Sequence, residues 1–238
     1  MQVDTLIKVK NLSKNFSDLK SVDAFDLEVK KGELFGLLGP NGSGKTTMIK
    51  MLTGQIKPSG GEVSVHGIDV LANPLRVKEL TGIIPEQETP PSFLTAEEYL
   101  HFVAKIRKLE GFEDKCEWWF SYLDFAGQKD VLCKDLSRGT RQKLMLAQAF
   151  LHEPELVIID EPLINLDPLM QRKVKDYLRD YVSKGGTVFI STHILEIARE
   201  ICSSMGIIYR GKLVFSGNMD DPAIGDRPLE DFFLELVN

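Results

Sequence analysis

The sequence predicts an α/β fold, a mostly parallel sheet with flanking helices, and three observations predict it. Residues 34–38, 156–159, 188–190 and 206–209 are short, nearly continuous apolar runs, the pattern of strands buried on both faces. Between two of these runs, Val174, Tyr177, Leu178, Tyr181 and Val182 recur at helical spacing, and Gly185-Gly186 stops the pattern. Strand, helix and strand in that order make a βαβ unit. Residues 6–9 and the set Phe25, Leu27 and Val29 instead alternate apolar with polar, so an antiparallel, half-exposed β subdomain is expected at the N-terminus.

Residues 92–134 read differently, as helices without a buried strand, and are expected to form an α-helical subdomain. Thr95-Ala96-Glu97-Glu98 fits a capping box, in which hydroxyl and carboxylate satisfy the first amides of a new helix. Tyr99, Phe102, Val103 and Ile106 are its expected apolar stripe, and Cys116, Trp119, Phe120 and Leu123 form a second one. The aromatic run Trp118-Trp119-Phe120 reads as packing, in the core or at an interface.

With 238 residues, 43% of them hydrophobic, the chain has room for one large unit with a subdomain. Its 29 Lys+Arg against 35 Asp+Glu give a net charge of −6, the opposite of a broad nucleic-acid footprint, and no nucleic acid is expected as partner. Cys116, Cys133 and Cys202 are odd in number and lack CxxC spacing, which indicates neither a disulfide framework nor a zinc site. The richest apolar run, residues 34–38, is cut short by Gly39-Pro40, far below the roughly 18 residues of a spanning helix. The N-terminus lacks the apolar segment of a signal peptide, so a cytoplasmic protein is expected.

Gly39-Pro40-Asn41-Gly42-Ser43-Gly44-Lys45-Thr46 matches GxxxxGK[ST], directly after a buried strand and before the helical run Met48, Ile49, Met51, Leu52. Its glycines let successive backbone amides turn toward phosphate oxygens, and the helix N-terminus adds partial positive charge. Lys45 would reach the terminal phosphates of a nucleotide, and Thr46 would place its hydroxyl on Mg2+; Thr47 follows in the same nucleotide-binding set. This predicts a P-loop NTPase core. The run 156–161 ends in Asp160-Glu161, acids exposed at the strand edge where α/β sheets bind ligands. Asp160 would hold Mg2+, and Glu161 would polarise a water against the terminal phosphate. Ser191-Thr192-His193 closes the next strand, and His193 is placed to bond the phosphate or that water.

With these residues in place, the chain resembles the ATP-binding cassette (ABC) ATPases from Ile7 to about Gly217. Leu136-Ser137-Arg138-Gly139-Thr140-Arg141-Gln142 carries that resemblance furthest, since it looks like the family's LSGGQ signature just before a helix. The resemblance implies that two cassettes pair head to tail, as homodimer or heterodimer, with Ser137 and Gly139 of one closing over the phosphates of the other. It places Phe16 where an aromatic ring stacks on adenine, although a strand-end phenylalanine in the core would read the same. Leu166-Asp167 resembles the loop that crosses the dimer interface, and His193 matches the switch histidine. The chain departs from the family at Glu86, where a glutamine is usual and Gln87 follows one place later; Glu86 is assigned to the metal by alignment. Arg138 and Thr140 replace a glycine and a glutamine of the signature, and Leu163 stands where a small hydroxyl residue is usual.

The implied function is that of an ATP-hydrolysing subunit, with ATP and Mg2+, that drives a membrane permease encoded by a separate gene, in the direction of efflux. It would sit on the cytoplasmic face, the permease docking between residues 86–94 and the helical subdomain. A soluble single-cassette ATPase, as in iron–sulfur cluster assembly, is the alternative. Boundaries are expected at 1–91 and 135–217 for the ATP-binding core, 92–134 for the helical subdomain and 218–238 for a C-terminal tail. On this division the length leaves no room for a membrane span or a second cassette.

Overall fold

The computed structural model describes residues 4–86, 90–225 and 227–237. Its first sheet is antiparallel, in the order β2-β1-β4-β5: β1 (Thr5–Phe16), β2 (Leu19–Lys30), β4 (Gly60–Val65) and β5 (Ile68–Asp69). Alternation along β1 and β2 turns Ile7, Val9, Phe25 and Val29 inward, each at most 1% exposed, as period-two patterning requires.

A second sheet of six strands runs β10-β9-β3-β8-β7-β6. Its strands are β3 (Leu34–Leu38), β6 (Thr81–Ile84), β7 (Leu156–Asp160), β8 (Thr187–Thr192), β9 (Ser204–Tyr209) and β10 (Lys212–Asn218). All pair in parallel except β10, which is antiparallel to β9. The apolar runs are continuous because this sheet separates two cores. Phe35, Leu37, Ile158, Phe189 and Ile208 face one core, shared with the antiparallel sheet and with helix α1 (Lys45–Leu52). Leu34, Leu38, Val157, Ile159, Val188, Ile190 and Ile207 face the other. The register sets Phe35 beside Phe189, whose rings stack at 5.5 Å.

The second core is closed by α5 (Arg138–Phe150), α6 (Pro168–Ser183), α7 (Leu195–Ile201) and a C-terminal α8 (Leu229–Val237). A short α2 (Pro74–Leu80) leads into β6. Beyond residue 217, Ile224, Leu229 and Phe232 are buried in that core.

Between β6 and α5 lie α3 (Ala96–Ile106) and α4 (Glu113–Tyr122). Thr95 caps α3 as a complete capping box: its hydroxyl accepts from the Glu98 amide at 3.2 Å and its own amide donates to the Glu98 carboxylate at 2.9 Å. The expected stripe of α3 is corrected by the structure. Phe102 is 48% and Ile106 63% exposed, while Ala96, Tyr99, Leu100 and Ala104 are buried. Tyr99 and Val103 of that stripe do pack on the core, with Tyr99 reaching Met145 of α5, while Leu100, Ala96 and Ala104 take the inward places left by Phe102 and Ile106. On α4 the stripe Cys116, Trp119, Phe120 and Leu123 is buried, and Trp118 stays 47% exposed. Among the described residues no helix is long and apolar enough to cross a membrane.

Candidate nucleotide-binding site

Parallel register brings the expected site residues to one sheet edge. Leu38 pairs with Thr192, Asp160 with Ser191, and Ile84 with Ile159. The segments that follow these strand ends, 39–44, 161–167, 193–194 and 85–86, therefore leave the sheet together.

The glycine loop is shaped by close approach. A Cβ at Gly39 would lie 2.3 Å from the Ile208 carbonyl oxygen, and one at Gly44 2.5 Å from that of Ser21; Gly44 also has φ 115°. Only glycine is accommodated at either position. No side chain caps the start of α1, so its first amides stay available to an anion. Ser43 Oγ is buried within the loop without a hydrogen-bond partner among the described residues, an orphan that a phosphate oxygen would satisfy. Asn41 and Gly42 are exposed at the tip beside Pro40.

Lys45 is 6% exposed, and its Nζ donates to the Gly39 and Pro40 carbonyls at 2.7 and 3.1 Å. Burial pulls its pKa down, against the upward pull of Glu161, Asp160 and Glu86. An arriving phosphate would restore the favoured charge. Thr46 Oγ1 donates to Glu86 Oε2 at 3.4 Å. Asp160, 2% exposed, accepts from Ser191 Oγ; burial raises its pKa, opposed by the Ser191 and Thr46 hydroxyls.

Glu161 sits in the left-handed region at φ 54°. Its Oε1 lies 2.7 Å from His193 Nδ1 and accepts the His193 amide at 3.1 Å, and its Oε2 accepts from Thr192 Oγ1 at 3.1 Å. Two sequence neighbours thus diverge: Asp160 points into the sheet edge with Ser191, and Glu161 swings to His193. The pairing of Ser191 with Asp160 depends on strand register, which spacing does not reveal.

Thr47 is turned from the loop, its hydroxyl 2.8 Å from Ser21 Oγ. Ser21 was missed by sequence reasoning, since it lies in β2 and belongs to no motif. Phe16 is 47% exposed at the end of β1, with Lys14 Nζ 5.0 Å over its ring; the core placement is excluded. Gln87 lies outside the described residues.

Ser137 is the N-cap of α5, accepting from the Thr140 amide at 3.1 Å. The start of α5 packs on the segment after Glu161: Gln142 donates to the Pro162 carbonyl at 3.2 Å, and a Cβ at Gly139 would lie 2.8 Å from the Asn165 oxygen. Asp167 caps α6 through the Met170 amide. Among the described residues no hydrogen bond joins Ser137 or Gly139 to the glycine loop.

The family model described as "ABC transporter" matches residues 22–164. The chain is 34% identical over 245 residues to the Probable multidrug ABC transporter ATP-binding protein YbhF of Escherichia coli (strain K12), covering 99% of this chain but only 42% of that protein. It is 35% identical over 216 residues to the Bacitracin transport ATP-binding protein BcrA of Bacillus licheniformis, covering 89% of this chain and 69% of that one. A solved structure described as an ATP binding subunit of an ABC transporter superposes with a TM-score of 0.92 at 30% identity, over 98% of this chain and 100% of the other. The chain thus spans less than half the length of its multidrug relative. With the family pattern running from β2 through the Asp160-Glu161 strand end, this chain belongs to the ABC transporter family, as an ATP-binding domain.

Proposed function

We propose that this chain binds ATP with Mg2+, hydrolyses it to ADP and phosphate, and powers efflux through a separate membrane permease. The observation that carries the reading is the convergence of Lys45, Asp160 and the Glu161–His193 pair on one sheet edge. Three carboxylates around one buried ammonium leave a negative excess, which suits a divalent cation. No group of three or more His, Cys, Asp or Glu among the described residues is arranged to hold a metal alone; Mg2+ keeps waters and takes phosphate oxygens as ligands.

Hydrolysis is in-line attack of water on the γ-phosphorus, with the bond to the bridging oxygen breaking. Lys45 and the loop amides stabilise charge growing on the phosphoryl oxygens. Glu161 accepts hydrogen bonds from Thr192 and from the His193 amide, which holds its carboxylate in place to draw a proton from water. His193 sets that carboxylate's orientation through Nδ1. Thr46, Asp160 and Glu86 carry the hard oxygens for Mg2+, which when bound neutralises phosphate charge. Phe16 offers a half-exposed face for adenine, and Ser137 and Gly139 would meet the nucleotide of a second cassette, identical or not. Glu161→Gln should cut Mg2+-dependent phosphate release by about 100-fold or more while ATP binding persists; unchanged turnover would reject the assignment.

Transport is supported by a relative named a bacitracin transport protein, and efflux by one named a Nod factor export protein. The permease would dock between residues 86–94 and the helical subdomain, where Phe93 and Phe102 are 76% and 48% exposed, and would hold the chain at the cytoplasmic face. Affinity capture from detergent-solubilised native membranes should recover a multi-span protein. Recovery of soluble partners only would count against transport.

A further inference from the structure

A second concavity lies away from the sheet edge, where the helical subdomain meets the core. It is a cleft of about 340 Å³ walled by Trp118 and Trp119 of α4, Phe150 at the end of α5 and Tyr177 of α6. That is within the size range of small-ligand sites. The rings pack edge to face along one wall: Trp118 and Trp119 meet at 82°, Trp119 and Tyr177 at 66°, Phe150 and Tyr177 at 84°. Its floor is dry, with Phe150 and Trp119 2% and 4% exposed, and its rim is open at Trp118.

The rim is acidic on balance. Asp114, Lys115 and Glu153 border the cleft, two acids against one base, and Lys115 pairs with Glu153 at 3.0 Å, which among the described residues leaves Asp114 without an ion pair. The same aromatic cluster already carries a cation of the chain: Lys173 Nζ lies 4.7 Å over the ring of Tyr122, which stacks on Trp118 at 4.6 Å. Trp118, stacked on Tyr122 on one side, keeps nearly half of its surface open at the mouth of the cleft. We propose that this cleft binds an organic cation of the alkylammonium or guanidinium class, its charge over the open face of Trp118 and part of its hydration replaced by Asp114 at the rim.

Such a group arrives either on a small molecule or on a basic side chain of a partner. Both tryptophans of the chain line the cleft, so intrinsic fluorescence reports this site and no other. The purified chain is titrated with choline, with N-acetylargininamide, and with neohexyl alcohol, the neutral carbon isostere of choline, at constant ionic strength. A saturable change is expected for a cation with a Kd on the order of 1 mM, and one at least about tenfold weaker for the isostere. Tighter binding of choline assigns a small-molecule source, and tighter binding of the arginine amide a side chain. Asp114→Asn should weaken the cation about threefold. Trp118→Leu, which leaves Trp119 as reporter and fills the same exposed position, should weaken it about tenfold. Circular dichroism confirms that both variants are folded. No saturable response to either cation, or equal responses to cation and isostere, would overturn the proposal and leave the cluster as packing.

Discussion

Glu161 carries its function at a conformational cost. A non-glycine residue at φ 54° costs on the order of 1 kcal/mol. It is held there by its amide donating to the Ser191 carbonyl at 3.1 Å and by the bonds from Thr192 and His193 to its carboxylate. Straightening the backbone would break all three. The strain turns Glu161 away from Asp160, so that two adjacent acids serve different tasks. Lys45 illustrates the reverse economy: buried and bonded only to carbonyls of its own loop, its ammonium is held ready for a stronger acceptor. Charge-assisted bonds contribute about 1.5–3 kcal/mol, so Lys45→Ala should lower ATP affinity by about 10- to 100-fold, measured by calorimetric titration. Wild-type affinity would remove Lys45 from the phosphate site. Lys45 and Glu161 are legible in the sequence because the loop and strand-end patterns are local. The bonds that orient Asp160 and Glu161 come from Ser191, Thr192 and His193, some 30 residues away in the chain, and are fixed only by strand pairing.

Among the elements, the connection from α5 to β7 holds a titrating group that the nucleotide chemistry does not use. His152 has both ring nitrogens buried without a hydrogen-bond partner among the described residues. Burial, with Arg107 adding repulsion, lowers its pKa to about 3. Between that value and the unfolded value near 6.5, the unfolded chain binds a proton that the folded chain refuses, so stability falls as pH drops through this window. Below pH 6.5 the slope from His152 approaches about 1 kcal/mol per pH unit. His152→Leu should flatten the loss of stability between pH 7 and pH 5 in urea titrations, and parallel profiles for the two proteins would refute the assignment. Element type was readable where a pattern is strong, as in the capping box of α3. The roll of α3 about its axis was not. Helical spacing fits more than one face when Phe102, Val103, Leu100 and Ala104 are all apolar, and the choice fell to the face that carries Tyr99 and Leu100, which packs on the core. β6 escaped notice for a similar reason, because Thr81-Gly82 breaks its apolar run and burial comes from α5 and β7.

Across the whole molecule, the two parts of the expected phosphate grip are built on different supports. The glycine loop leans on β2 and β9, through Ser21 and Ile208, and the start of α5 leans on Pro162 and Asn165. A head-to-tail pair of cassettes would bring one to the other. Glu161→Gln with ATP and Mg2+ should therefore double in mass by light scattering and return to monomer when ATP is replaced by ADP; a monomer under all conditions would exclude a nucleotide-clamped dimer. The sequence by itself determined the fold class, the phosphate loop, the strand that ends in two acids and the signature helix, because each is encoded by adjacent residues or by periodicity. Only the tertiary structure decided which polar side chains orient Asp160 and Glu161, that Phe16 faces outward, how α3 is rolled, and that Trp118, Trp119, Phe150 and Tyr177 line one cleft. Those outcomes depend on register and packing between segments distant in the chain, where the free energy of burial is shared and no single stretch of sequence carries it.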